Sequence, residues 1–374
     1  MKVDVLIIGA GPAGLSAAYK TANNGLDTVI VDNQKSIGGY LQQQTETLSN
    51  LPLNCNGLKG FEVVDELEEQ LHTLGISLLM EASVIGVYQN GDIGIYHKEK
   101  VKRLKPARII IATGAGEKPI TFPGWTLPRV FPVGSLQLLL NEGRVLPGKM
   151  FILYGSHTYA LQLALFINKI PGVSIEIIEK GKTLRSKDAA VLERLKQADI
   201  PVHTSTEIIS ARGKGKVEQV TLLNKETNEE DEREVDVICV DGGRYPTIEV
   251  ASVFDCELGF DESLGGWLPT YDSSLQTTRD KVYVSGNAAG ITNHASIMYT
   301  GLIAGVSVSR SLQVIEEDIA LAEKRKYWTK IQAVEADVSM DIWQDRVNFM
   351  EKMESKALQN HPKEWTFKNN KRDV

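Results

Sequence analysis

Cysteine is scarce in this chain, with three residues in 374. Cys55, Cys239 and Cys256 form no C-x-x-C, no C-x4-C and no cluster with metal-ligand spacing. This excludes a redox dithiol or a zinc or iron–sulfur ligand set built from neighbouring thiols. Such spacing points to free reduced thiols, although a pair formed between distant positions stays open at this level. No apolar run reaches membrane-spanning length. The segment ahead of the first glycine cluster reads as a strand and carries no cleavage-type pattern, so the expected location is the cytoplasm. Positive charge is not in surplus either: 41 Lys and Arg stand against 48 Asp and Glu, a net charge of −7. Neither nucleic acid nor an anionic membrane surface is therefore an expected partner. Histidine is thin and scattered (His72, His97, His157, His203, His294, His361), and no acid–base pair stands out.

What is present is ordered. An apolar strand (Val3, Val5, Leu6, Ile7, Ile8) runs into GAGPAG at residues 9–14, then a helix, then a strand at 28–31 that ends on Asp32. G-x-G-x-x-G alone is a weak signal. Here it follows a strand, opens a helix and has an acid twenty-three positions after its first glycine, which together make a dinucleotide fingerprint. Gly9 allows a tight turn, Gly11 lets a pyrophosphate approach the backbone, and Gly14 lets helix and strand pack closely. The helix N-terminus offers free N–H groups to phosphate, and Asp32 can accept from ribose hydroxyls.

Residues 38–52, GGYLQQQTETLSNLP, read as a close-approach loop. A helical period follows over 59–74, with Phe61, Val64, Leu67 and Leu71 on one side. Strands are expected at 76–80 and 83–88, a surface hairpin at 91–105, and an apolar strand at 108–112 ending in ATGAG. Residues 117–148 are proline-rich, with one helical piece at 135–140. The opening pattern then recurs: a strand at 150–154, GSHTYA at 155–160, a helix at 161–169, and a strand ending in Glu179, twenty-four positions after Gly155. A helix at 188–198 precedes a meander of strands at 202–212, 216–223 and 234–240. From 247 the chain returns to the first domain, with a strand at 281–285, GNAAG at 286–290 and a helix rich in small residues at 295–312. The charged tail from 313 is helical, with Ile331, Val334, Val338 and Ile342 at helical spacing. Trp328, Trp343 and Trp365, if exposed, suggest a docking surface there; packing on the tail's own subunit is the other reading.

GAGPAG, GGYL, the ATGA strand end, a second nucleotide-type unit and VYVSGNAAG, in that order over residues 1–312, resemble the two-domain pyridine nucleotide-disulfide type flavoproteins. The loop from GGYL and its following helix are similar to thioredoxin reductase. The stretch FPGWTLPRVFPVGSLQLLL with LPGK is more similar to the FAD-containing alpha subunits of sarcosine oxidase, opine and hydroxyproline dehydrogenases and hydrogen cyanide synthase. The resemblance implies an α/β fold of two Rossmann-like (three-layer ββα) nucleotide-binding domains. The FAD domain is expected to be discontinuous (1–116 and 247–312), around an NAD(P)-binding-like domain at 117–246. A helical C-terminal extension follows at 313–374.

Carried over by position, the resemblance implies that Gly9, Gly11, Pro12, Ala13 and Gly14 contact FAD pyrophosphate and Asp32 holds the adenosine ribose. Gly39, Gln43 and Asn50 would line the ribityl and flavin region. Val84 would meet the adenine through its backbone, and Thr113 and Gly114 would close the pocket. Asn287, after Gly286, stands where the family usually has an aspartate bonding the ribityl chain. The helix after it would aim its N-terminus at the flavin pyrimidine, which favours negative charge there. His294 and Ala295 replace an Arg and a Gln of thioredoxin reductases, and His294 is the candidate catalytic proton relay.

The chain departs from the pattern at two kinds of place. Both dithiol motifs of the family are missing, so disulfide chemistry is not expected. In the second loop His157 replaces the glycine that admits a pyrophosphate, and its side chain should crowd a dinucleotide. Gly155, His157 and Glu179 would form the second nucleotide site, with Glu179 favouring NAD(H) over NADP(H) if either binds. A structural relic, or a groove filled by another nucleotide or a partner, are the other readings.

Three functions follow. The first is the FAD/NAD-like subunit of a multi-subunit amine, amino-acid or opine dehydrogenase, in a homo- or hetero-oligomer with a second flavoprotein or a small iron–sulfur subunit. The second is a stand-alone NAD(P)H-dependent flavin reductase of ferredoxin or quinone type. The third is a non-catalytic nucleotide-binding scaffold.

Overall fold

A computed structural model of the chain describes residues 2–338 and 340–357. They divide into two compact units, one made of the residues up to Gly116 together with those from Tyr245 on, the other Glu117–Arg244. Trp365 and His361 lie outside the described residues.

In the first unit β1 (Lys2–Ile8) leads into α1 (Pro12–Asn23) and β2 (Thr28–Val31). The GG loop then makes a 3₁₀ turn at Gly39–Gln43, where the sequence suggested only loop. α2 (Gly60–Thr73) buries Val63, Val64, Leu67 and Leu71; Phe61, assigned to the same face, is exposed instead. β3 (Ser77–Leu79), β4 (Ala82–Val87), β5 (Ile93–His97) and β6 (Lys100–Ile111) follow. The expected hairpin arm and apolar strand are thus one twelve-residue strand. Its first half pairs antiparallel with β5 and its second half lies parallel to β1. Pro106 lies just past the change of partner, in register with Val3 of β1.

The crossing strands β7 (Ala115–Glu117) and β16 (Arg244–Pro246) pair with each other. In the second unit β8 (Val130–Pro132) and α3 (Val133–Asn141) precede β9 (Met150–Tyr154), α4 (Thr158–Ile167), β10 (Ser174–Ile178), α5 (Ala189–Gln197) and β11 (Val202–His203). The meander is β12 (Thr206–Arg212), β13 (Gln219–Asn224) and β14 (Glu230–Glu234), and β15 (Val237–Val240) returns to the parallel sheet, whose order is β11-β10-β9-β15-β8. The span expected as one strand at 234–240 is divided between the two sheets.

Back in the first unit come α6 (Glu249–Val253), the hairpin β17 (Leu258–Asp261) and β18 (Gly266–Pro269), then β19 (Val282–Val284) and α7 (His294–Ser311). β19 lies parallel to β6 in the main sheet. The small residues of α7 are there for contact with α1. A Cβ added at Gly301 would lie 2.2 Å from the Ala13 carbonyl oxygen, and one at Gly305 would lie 2.7 Å from the Lys20 Cβ. α8 (Glu317–Val338) and α9 (Met340–Ala357) complete the unit.

Trp328 and Trp343 are not part of an exposed docking surface. Trp328 is 1 % exposed and Trp343 6 %, with ring centroids 6.1 Å apart. Trp328 Nε1 donates to the Ser273 carbonyl at 2.9 Å. The amphipathic face serves the local core because the same unit supplies an apolar bed for it. Trp328→Ala should therefore cost about 3–5 kcal/mol of stability. Trp267→Ala, at a side chain 55 % exposed, should cost less than about 0.5 kcal/mol. Denaturant titration of the two variants checks this.

Candidate functional site

In the first unit four parallel strands end on one row. Ile8 pairs with Val31 and with Ile111, and Ile111 pairs with Val284. Gly9, Asp32, the Ala112–Gly114 turn and the Ser285–Gly286 turn therefore leave the sheet side by side. Ligands of open α/β sheets bind at such carboxyl edges.

The glycines here do different jobs. Gly9 has φ +113°, and a Cβ on it would sit 2.2 Å from the Ala112 carbonyl oxygen. A Cβ on Gly14 would sit 1.9 Å from the Gly9 oxygen. The fold itself demands both. Gly11 is different: as N-cap of α1 it has φ −76°, and a Cβ there would meet nothing within 4 Å. Packing does not require a glycine at 11, and the space beside it lies open at the end of a helix. That space fits a pyrophosphate, and so the phosphates of an FAD. Gly39 (φ +51°) roofs it, with its Cβ position 3.3 Å from the Gly11 Cα. Gly38 N–H donates to the Ala10 carbonyl at 2.8 Å. Gly286 closes another side, with its Cβ position 2.7 Å from the Ala13 Cβ.

A cavity of about 320 Å³ opens beside this loop, lined by Gly9, Asp32, Val84 and Thr113 among the expected residues. It also takes in Ser83, Thr247 and Glu249, which carry no motif. Asp32 Oδ2 accepts from Ala10 N–H at 2.6 Å and Oδ1 from Gln34 N–H at 2.8 Å. Thr247 ties the returning chain to the ATGA turn: its N–H and hydroxyl each donate to the Gly114 carbonyl at 3.1 Å. Thr113 Oγ1 donates to the Thr247 carbonyl at 3.2 Å.

Beyond Gly286 the Asn287 side chain is buried, and its Oδ1 accepts from Thr292 N–H at 3.1 Å. α7 is capped by Asn293, whose Oδ1 accepts from Ser296 N–H at 2.9 Å. His294, half-buried, and Ala295, buried, make its first turn. Gln43 lies half-buried in the 3₁₀ turn. Asn50 is exposed in the left-handed region (φ +62°) and is not among the residues lining the cavity.

The second unit repeats this backbone. Tyr154 pairs with Ile178 and with Val240, so Gly155, Glu179 and Asp241 also leave one row. Gly155 has φ +113°, and its Cβ position is 2.1 Å from the Asp241 carbonyl oxygen. α4 starts at Thr158, three residues earlier than its periodicity suggested, so His157 is its N-cap, as Gly11 is for α1. His157 N–H donates to Asp241 Oδ2 at 2.7 Å, and its ring Nδ1 lies 3.0 Å from the same oxygen. The ring packs on Gly243, whose Cβ position is 3.0 Å from the imidazole Cε1. Glu179 is 1 % exposed. It accepts from the Ser156 hydroxyl and, at 2.7 Å, from Gly181 N–H, with Arg185 Nε 3.6 Å away. Asp32, although bonded to its own loops, lines a cavity, whereas Glu179 is both bonded to its own loop and buried.

The thiols are all buried and free. Burial pushes Cys55 up to about 12, helped by Glu66, and raises Cys239 and Cys256 as well. None is a poised nucleophile. Among the described residues no cluster suits a metal ion, and no helix is long and apolar enough to cross a membrane.

Residues 3–309 match the family described as pyridine nucleotide-disulphide oxidoreductase. The chain belongs to that family. An opine oxidase subunit from Rhizobium meliloti is 26 % identical over 343 residues, 86 % of this chain and 74 % of that protein. The crystal structure of T. acidophilum thioredoxin reductase superposes with a TM-score of 0.70 at 23 % identity, covering 83 % of this chain and 99 % of that one. L-Proline dehydrogenase from P. horikoshii gives 0.65 at 22 % identity over 87 % and 59 %. The fold is therefore that of the two-Rossmann family, with helices after it, although the paired thiols in the family's name are missing here.

Two measurements test the site chemistry. In native protein at pH 8 all three thiols should resist a disulfide reagent over minutes, and react once the chain is unfolded. Glu117 is raised by desolvation, against a 2.8 Å bond from Gly134 N–H and the nearby Arg244 charge. A raised carboxyl binds its proton more tightly when folded, so its stabilising contribution is full in acid and declines as pH rises through its folded pKa. Glu117→Gln keeps the acceptor, and its thermal midpoint relative to the parent should be more favourable at pH 7.5 than at pH 4.5.

Proposed function

We propose that the chain is an FAD-dependent oxidoreductase that works within a multi-subunit amine, amino-acid or opine dehydrogenase, without a redox disulfide and without a nicotinamide as its reductant. The observation that carries this is the contrast between Gly11 and His157. One N-cap position is cleared for a phosphate; its counterpart is filled by an imidazole held on Asp241. The likeness to the Rhizobium opine oxidase protein supports the substrate class and an assembly with other chains.

When bound, FAD would supply the two-electron chemistry. The protein supplies the rest. The loop of Gly9, Gly11, Pro12, Ala13 and Gly14 would hold the pyrophosphate against the open N–H groups at the start of α1, assisted by Gly39. Asp32 takes the adenosine ribose, while Val84, Thr113 and Gly114 border the adenosine. Gln43 and Asn50 belong to the loop toward the ribityl chain. Gly286, Asn287 and the N-terminus of α7 would border the flavin, where a helix end favours negative charge. His294, in that first turn, holds or moves a proton at its imidazole, and Ala295 leaves the ring uncrowded. A second flavoprotein or an iron–sulfur protein would take the electrons onward. The second reading is a stand-alone NAD(P)H reductase, favoured only by the retained βαβ frame around Gly155 and Glu179.

Purified protein should be yellow with a flavin band. Gly11→Val should lower FAD affinity about a hundredfold or more while changing stability by less than about 1 kcal/mol, because the added side chain enters open space. A large loss of stability with FAD retained would refute the assignment of Gly11. Anaerobic NADH should leave the band unbleached; rapid bleaching would favour the second reading. Colourless protein that cannot be reconstituted would sink both.

A further inference from the structure

The two tail helices lie past the residues that match the family, yet they reach the loop between Gly286 and α7. Arg346 of α9 is 0 % exposed and Glu335 of α8 is 1 %. Arg346 Nε lies 3.2 and 3.1 Å from the two Glu335 carboxylate oxygens, and Nη2 donates to Oε1 at 2.9 Å. The remaining arm turns to the loop. Nη1 donates to the Ala289 carbonyl at 2.8 Å and to the Tyr271 hydroxyl at 3.1 Å. That hydroxyl in turn donates to the same carbonyl at 2.7 Å. Glu335 Oε1 also accepts from the Thr292 hydroxyl at 2.5 Å. The two ends of the turn at Gly290 are therefore gripped by the two halves of one buried ion pair. Thr292 N–H is also the group that holds the Asn287 side chain.

Desolvating an arginine and a glutamate is expensive, and an apolar pair of similar volume is often as stable. What the ion pair adds is direction: a planar fork can serve a carboxylate and a carbonyl together in one fixed geometry.

We propose that Arg346 and Glu335 are positioning residues, which fix the 286–293 loop, and through it Asn287 and the first turn of α7, in the geometry that receives the flavin. This rests on the reading of that loop as flavin-facing. Neither residue touches the cofactor; both act through Ala289 and Thr292.

The test uses the full chain and measures FAD dissociation constants by flavin fluorescence, the shape of the flavin band, and thermal midpoints. The parent is titrated first. The double variant Glu335→Leu/Arg346→Met should fold with a midpoint close to the parent's but bind FAD roughly tenfold more weakly, with an altered flavin band. Arg346→Lys should weaken binding by a smaller factor, because a single ammonium cannot serve Glu335 and Ala289 in the same way. Glu323→Gln breaks a different tail contact, the 2.6 Å pair with Lys20, and should leave FAD affinity unchanged. Parent-like affinity and band shape in the double variant, or in Arg346→Lys should the double variant not fold, would overturn the positioning role. An equal loss in Glu323→Gln would overturn it too, since any loosening of the tail would then suffice. A parent that takes up no FAD would instead sink the cofactor reading, and this proposal with it.

Discussion

Everything at the first site depends on parallel strands that stop level. Backbone hydrogen bonds hold Ile8, Val31, Ile111 and Val284 in one row. The next residue of each strand therefore enters the same small volume. The space admits no side chain at Gly9, where the neighbouring strand's Ala112 carbonyl lies too close. Gly14 is forced in turn, because α1 must start against that turn. The glycines at 9 and 14 are thus consequences of strand register, and packing leaves Gly11 free of that demand.

The second unit shows how little backbone change is needed to alter that outcome. It has the same level row, the same φ at its first glycine and the same N-cap position. The difference is chemical. An imidazole and an aspartate close on each other, and a buried glutamate is satisfied by Ser156 and Gly181. A scaffold can keep its fold while the groups that would meet a dinucleotide turn to one another, because the fold requires only the strand register and the first glycine.

Much of this could be read in the sequence. The strand ends at Ile8, Val31 and Tyr154 and the acids after β2 and β10 are local signals, set by two- or three-residue patterns, and their positions agree with the structure. The errors arose where the partner decides. β6 is one strand because two different neighbours take up its two halves. Phe61 faces outward and Val63 inward because α2 presents a different stripe from the one its strongest hydrophobes suggested. β8 could not be read from Val130–Pro132, since three residues beside prolines show no periodicity. Thr247, a lining residue, has no motif because it is brought in by a chain return 133 positions after Gly114.

By itself, then, the sequence determined two nucleotide-type βαβ frames, the scarcity and spacing that rule out a neighbouring dithiol, and the loss of one glycine at position 157. Those are properties of short segments. Tertiary structure alone decided that Trp328 and Trp343 are core, that Gly11 faces open space, and that Glu335 and Arg346 meet beneath the Gly290 turn. Each of these depends on which surfaces are brought within a few ångströms of each other by packing, and packing partners far apart in the chain leave no periodic trace along it.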